Sequence, residues 1–168
     1  MRLGNVSQSG FDLYLSFPVT YGIMYLRVRC VNMASVFDVA KYILEKQGTI
    51  STWKLQKLCY YSQAWALAWS DGSPLFSEDF QAWSNGPVCK DLYDVHRGEY
   101  LVVPADFLRG DTSNLTEDEI DTINTVLESY GDKTPSWLRE QSHEEAPWRD
   151  ARGELSDYAR SRRTITKE

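Results

Sequence analysis

The reading turns on residues 55–88, which carry Leu55-Gln56-Lys57-Leu58-Cys59-Tyr60-Tyr61-Ser62-Gln63-Ala64-Trp65, then Pro74-Leu75-Phe76, then Ala82-Trp83-Ser84-Asn85-Gly86-Pro87-Val88. In the first part Leu55, Leu58, Cys59, Ser62, Trp65, Ala66 and Trp69 recur at three- and four-residue intervals, the period of a helix packed along one stripe. Ser51 stands where a cap would open that helix, and Asp71-Gly72-Ser73-Pro74 forces a turn after about Ser70. The alternation of Phe80 and Ala82 predicts a short strand over 80–83, closed by the turn at 84–87. Pro87 suits a first helical turn, so residues 88–97 read as a helix with Val88, Leu92 and Val95 inward.

Outward from this centre the capping signals are local and strong. Ser35 with Asp38 three residues on has the form of a capping box, Val36, Val39, Ala40, Ile43 and Leu44 make the apolar stripe of that helix, and Gly48 closes it. Thr116 with Glu119 repeats the box, and Leu115 and Ile120 stand at the positions of a hydrophobic staple. That helix, 116–130, should bury Ile120, Ile123, Leu127 and Tyr130. Thr134-Pro135 opens a short helix through Trp137 and Leu138, and Ala146-Pro147-Trp148 a last one that Gly153 stops. Leu101 to Val103 is a further short strand candidate. The predicted class is mainly α: a compact multi-helix domain around a long central helix, with a small two-stranded β element.

Residues 1–32 differ from the rest. Phe11, Leu13, Leu15, Phe17, Val19, Tyr21, Ile23 and Tyr25 alternate with a period of two, as a strand does, and Pro18 and Gly22 would break or bend it. This segment is either a start-site extension, with Met33-Ala34-Ser35 resembling an initiation sequence, or a β-like arm. A domain over 33–153 and a charged, frayed tail over 154–168 complete the expected organisation. A membrane span needs about 20 apolar residues, and the segment offers none.

The chain has 168 residues, a net charge of −6, 42% hydrophobic and 13% aromatic residues. An acidic surface opposes the phosphate attraction behind most nucleic-acid affinity, and fits a basic protein partner. Cys30, Cys59 and Cys89 are odd in number and widely spaced, which fits a reducing cytoplasm rather than a disulfide framework or a zinc site. His96 and His143 lie in no nucleophile elbow and no metal-binding helix. Acidic runs at Glu117-Asp118-Glu119-Asp121 and Glu144-Glu145 have a simple role opposite helix dipoles. The reading therefore predicts no catalytic residue, no cofactor and no metal site, so no enzyme. Two alternatives stand beside it: a transcriptional regulator using residues 36–69 as a helix-turn-helix, with Lys54, Gln56 and Lys57 toward DNA, and a hydrolase centred on His143.

Leu58, Trp65 and Trp69 are expected in the core. Tyr60, Tyr61, Trp53 and Trp83 are harder to bury together, and amphipathic rings suit a partner surface. Tyr60, Tyr61 and Trp83 are the expected anchors, with Lys57 at the rim. Gln56 and Gln63, two turns apart, could tie the Trp83 turn to the helix through their amides.

Taken in order, Leu55-Gln56-Lys57-Leu58, Tyr60-Tyr61, Gln63-Ala64-Trp65, Pro74-Leu75-Phe76, Ala82-Trp83, Gly86-Pro87-Val88, Ser142-His143-Glu144 and Pro147-Trp148 resemble the Panacea domain of the SocA-like antitoxins, found in bacterial and phage toxin–antitoxin systems. The resemblance spans about residues 36–153. It implies a mainly helical fold and an antitoxin that neutralises a separately encoded toxin by binding it, or by presenting it to a cytoplasmic protease. It implies no catalytic residue or cofactor. Leu55, Gln56, Leu58, Gln63, Trp65, Gly86, Pro87, His143 and Trp148 become structural motif residues on this view.

Overall fold

The computed structural model describes residues 13–19, 22–28, 33–107 and 109–167, the first two segments as backbone alone. The chain divides into two units, 1–32 and 33–168. In the first, β1 (Leu13–Val19) and β2 (Gly22–Val28) form an antiparallel pair whose register sets Leu15 opposite Leu26 and Phe17 opposite Met24. The alternation expected as one strand is thus two, and Gly22 opens the second. Phe11, Tyr21 and Cys30 lie outside the described residues.

In the second unit α1 (Val36–Gln47) opens at Ser35, whose hydroxyl accepts from the Asp38 amide while Asp38 accepts from the Ser35 amide at 2.8 Å. Such a cap is worth about 1 kcal/mol. Gly48, at φ +71°, ends the helix in a conformation that side chains with a Cβ resist. Next come β3 (Ile50–Ser51) and α2 (Thr52–Trp69), capped by Ser51. A hairpin follows, β4 (Phe80–Trp83) with β5 (Gly86–Cys89), then α3 (Lys90–His96) and β6 (Leu101–Val102), which pairs with β3. Two short 3-10 turns lead to α4 (Glu117–Tyr130), capped by the Thr116–Glu119 box, and then α5 (Pro135–Glu144) and α6 (Ala146–Arg152). The mainly helical class, with a central helix and small β elements, is what the sequence led one to expect.

Four local expectations are corrected. Residues 88 and 89 belong to a strand, because Gly86–Cys89 pairs with β4 in register Ala82 to Pro87 and Gln81 to Val88; Pro87, which lacks an amide proton, is tolerated in this two-stranded element. Val95 is therefore exposed, and Leu92 and His96 are the buried residues of α3. Within α4 the fully buried side chains are Ile123 and Val126, with Ile120, Leu127 and Tyr130 packed at the edge. The tail is not frayed: Ile165 is buried, and its amide donates to Phe80 O while Ala82 N–H donates to Arg163 O, each at 2.8 Å.

The core lies along α2, which touches α1, α4, α5, α3 and β5. Because neighbours surround it, every residue from 55 to 63 is buried. Leu55, Leu58, Ile43, Leu44, Leu92, Ile123 and Leu138 are fully enclosed, each contributing roughly 1.5–3 kcal/mol of burial. Trp69, past the enclosed stretch, is 56% exposed against the expectation that it is core. No described helix is long and apolar enough to cross a membrane.

Candidate functional site

Because α2 has no outward face over residues 55–63, its polar side chains must satisfy one another and the backbone around them. Gln63 accepts from the Leu75 and Phe76 amides at 2.8 and 3.2 Å and donates to Phe76 O at 2.9 Å. Gln56 does the same for β5, accepting from the Cys89 amide at 2.9 Å and donating to Cys89 O at 3.2 Å. Each amide thus stands in for a neighbouring strand. The expected tie between the Gln pair and the Trp83 turn exists in part: Gln56 holds the hairpin at Cys89, while Gln63 holds the Pro74-Leu75-Phe76 segment.

The same geometry fixes the state of His96. Its Nε2 lies 2.9 Å from Gln56 Nε2, and the Cys89 backbone already orients that amide, so the nitrogen facing the imidazole is a donor. His96 must accept there, which places its ring proton on Nδ1 and requires it to be neutral. Burial lowers its pKa in the same direction.

Lys57 is 3% exposed and donates to Pro87 O at 2.9 Å. Burial, reinforced by the nearby Arg139 cation, pulls its pKa down to about 7. A Cβ at Gly86, where φ is +95°, would lie 2.8 Å from Lys57 Nζ and 2.9 Å from Ser142 Oγ. Only glycine leaves that room. Above the hairpin, Trp148 Nε1 donates to Trp83 O at 2.9 Å and Arg152 to Ala82 O at 3.0 Å. His143 stacks on Trp148 with centroids 3.8 Å apart, and its pKa falls to about 4 through burial and then the charges of Arg139 and Lys57.

The expected exposed patch is corrected. Tyr60 and Tyr61 are 5% and 2% exposed, and Lys57 is no rim residue. Tyr61 stacks on Tyr130 at 4.4 Å, and Tyr60 meets Phe80 edge-on at 5.4 Å. Burial, then the neighbouring Glu145 carboxylate, hold both phenols protonated; among the described residues Tyr61 Oη meets no partner in directed geometry, so its relation to Glu145 is proximity rather than a bond. The physical reason for the correction is that a helical stripe tells which face is buried first, and cannot tell that the opposite face is covered as well.

Of the three expected anchors Trp83 alone remains at the surface, half-buried, and it leads to the accessible aromatic site. A cleft of about 230 Å³ opens between the start of α2, the hairpin and α3, lined by Trp53, Gln56, Lys57, Trp83, Tyr93 and His96 among others. Trp53 is 46% exposed. Trp83 and Tyr93 meet edge-on at 5.0 Å, and Tyr93 meets His96 at 5.6 Å. Sites for drug-sized molecules hold roughly 300–1,000 Å³, so this cleft has the size of one or two side chains. Tyr93 escaped the sequence reading, which weighed His96 only against catalytic and metal-binding patterns; Trp53 was legible, since it stands off the apolar stripe of α2.

The chemistry behind the two alternatives is placed too. Lys54 Nζ donates to Gly131 O, and Gln56 and Lys57 are enclosed, so none of the three is free to read a base edge. His143 is packed flat on Trp148, and the adjacent Ser142 hydroxyl donates to Arg139 O at 2.9 Å rather than to the imidazole. Among the described residues no group of three His, Cys, Asp or Glu side chains could hold a metal ion.

Fold and site define a mainly helical domain whose enclosed polar groups clamp backbone segments together and whose accessible aromatic rings rim a cleft. The family model for the antitoxin SocA-like, Panacea domain matches residues 55–149, more than half of the chain, and the protein belongs to that family. Comparison with curated proteins and with solved structures returns no match. The matched span contains the two glutamine clamps, Lys57, the hairpin and the His143–Trp148 stack.

Proposed function

We propose that the protein is a cytoplasmic antitoxin that neutralises a separately encoded toxin by direct binding, and that the cleft between α2, the hairpin and α3 receives the toxin. The observation that carries this reading is the rim of Trp53, Trp83 and Tyr93 around a side-chain-sized opening on a hairpin clamped from three sides. Aromatic anchors in preformed pockets dominate protein–protein affinity, and a clamped platform loses little conformational entropy on binding. The net charge of −6 and a hollow of about 710 Å³ in whose lining Glu78, Asp91, Asp94 and Asp106 outnumber the cation Arg109 favour a basic toxin. Family membership supports the antitoxin role, and the proteolytic-adaptor route uses the same binding step followed by delivery to a protease.

Co-expression with the product of the adjacent open reading frame tests the reading. A product that arrests growth alone and is harmless beside this protein is the expected result, and Trp53→Ala together with Trp83→Ala should restore toxicity. An adjacent product that is harmless alone, or stays toxic beside the wild-type protein, sinks the proposal.

A further inference from the structure

Sheet edges are rarely left open, because an unpaired strand edge invites another strand. Here the free edge of β4 is covered by the chain's own C-terminal segment. Thr164 bridges Gln81 in antiparallel register, flanked by the Ala82–Arg163 and Ile165–Phe80 backbone hydrogen bonds. Ile165 is 5% exposed, and Lys167 Nζ pairs with Asp79 at 3.0 Å. Residues 154–162, which lead to this segment, form no helix or strand. Arg152 holds them by donating to the carbonyls of Ser156 and Ala159.

The seat is larger than its occupant. Beside Ile165 and Lys167 an apolar groove of about 350 Å³ continues along α2, with Tyr60, Leu67, Phe80 and Pro147 in its wall. An isoleucine leaves that space open, and a longer apolar side chain at the same register position would reach into it.

We infer that the β4 edge is a strand-accepting site, closed in the free protein by residues 163–167, which takes an extended basic segment of the toxin when that segment is displaced. Backbone pairing to Phe80 and Ala82 supplies affinity, the groove selects a large apolar residue at the Ile165 position, and Asp79 selects a cation two residues on. This is strand addition as many recognition domains use it. The acceptor geometry stands alone; the identity of the occupant rests on the antitoxin reading. The tether gives the closing segment an effective concentration on the order of millimolar, so a free peptide should enter only when the segment is weakened.

The probe is a fluorescein-labelled peptide of residues 161–168, Ser-Arg-Arg-Thr-Ile-Thr-Lys-Glu, titrated into full-length wild-type, Ile165→Asp and Lys167→Glu proteins. Binding to Ile165→Asp should be at least tenfold tighter than to wild type, with Lys167→Glu between them. Amide exchange at Ala82 should accelerate in both variants and slow again with peptide. Should Ile165→Asp fail to fold by circular dichroism, the surface variant Lys167→Glu carries the comparison. Equal binding to all three proteins, or a freed Ala82 amide that ignores millimolar peptide, overturns the strand site. With the adjacent gene product, the variants should bind at least tenfold tighter than wild type. Unchanged affinity with neutralisation intact overturns the toxin as occupant and leaves the antitoxin reading standing; a harmless adjacent product overturns that reading and leaves the peptide result untouched.

Discussion

Replacing Lys57 by methionine should make this protein more stable, and the gain should shrink as pH rises. The amine is enclosed, and its pKa falls from 10.5 to about 7, a difference equivalent to about 5 kcal/mol between the charged and neutral forms. Methionine has nearly the same length and no charge to desolvate. Against this stands the hydrogen bond to Pro87 O; leaving that carbonyl unpaired costs about 1–3 kcal/mol. The net expectation at pH 7 is a stabilisation of about 2–4 kcal/mol. The sign of the pH effect follows from proton counting: between about pH 7 and 10.5 the unfolded chain holds a proton on Lys57 that the folded protein has lost, so wild-type stability rises with pH by up to about 1.4 kcal/mol per pH unit. The variant lacks this slope. Cys59, Cys89, Tyr60 and Tyr61 have raised pKa values and act in the opposite direction above about pH 9. The comparison therefore belongs between pH 7 and 8.5, where urea unfolding of both proteins should show the gap narrowing by about 2 kcal/mol. A variant less stable than wild type at pH 7, or a gap that does not move with pH, would refute the reasoning.

The histidines set the acid side. His96 and His143 both have lowered pKa values, the second to about 4, so their contribution is complete above about pH 6.5 and is lost as pH falls toward the folded values. His143→Phe, which keeps the stack on Trp148, should flatten the urea-midpoint profile between pH 6.5 and 5; an unchanged slope there argues against the buried neutral imidazole. Gly86→Ala combines a backbone at φ +95° with a Cβ 2.8 Å from Lys57 Nζ and should cost more than about 2 kcal/mol. Thermal melting checks it, and a loss below about 0.5 kcal/mol contradicts the fit drawn for the hairpin. Trp53→Ala, at a side chain 46% exposed, should leave stability within about 1 kcal/mol of wild type while weakening toxin binding by about 2 kcal/mol or more. Titration calorimetry decides it, and intact affinity removes Trp53 from the interface.

What could be read from the sequence was local. Ser35, Ser51, Thr116 and Thr134 all cap helices in the structure, as their neighbours within three residues announced. Phe80–Trp83 is a strand because its alternation and its turn lie in one short window. What failed was decided by the partner each segment pairs or packs with. Pro87 fits a helix start as well as a strand, and pairing with β4 settles it. Ile165 looks like a stray apolar residue in a charged tail until Phe80 offers it a backbone partner. Tyr60, Tyr61 and Lys57 lie off the apolar stripe of α2, and only the placement of α4, α5 and β5 around that helix buries them.

Lys57 then becomes informative for a reason that periodicity could not supply. A buried amine held near neutrality lowers stability, and natural sequences concentrate such costs where function needs them. Around this one the sequence makes every accommodation: Gly86 leaves room, Pro87 offers its carbonyl, and Gln56 on the same helix locks the strand beside it. Lys57 and Gln56 themselves line the cleft rimmed by Trp53 and Trp83. One N–H of the amine is committed to Pro87, and the side chain lines the opening from beneath, so a partner residue entering between the tryptophans would meet a hydrogen-bonding group in a dry, preorganised setting. There an unmatched polar group is costly and a matched one discriminates strongly. The tryptophans would supply affinity and Lys57 the choice of partner. A Lys57→Met protein that gains stability yet loses discrimination between its own toxin and an unrelated basic protein is the outcome this division of labour requires.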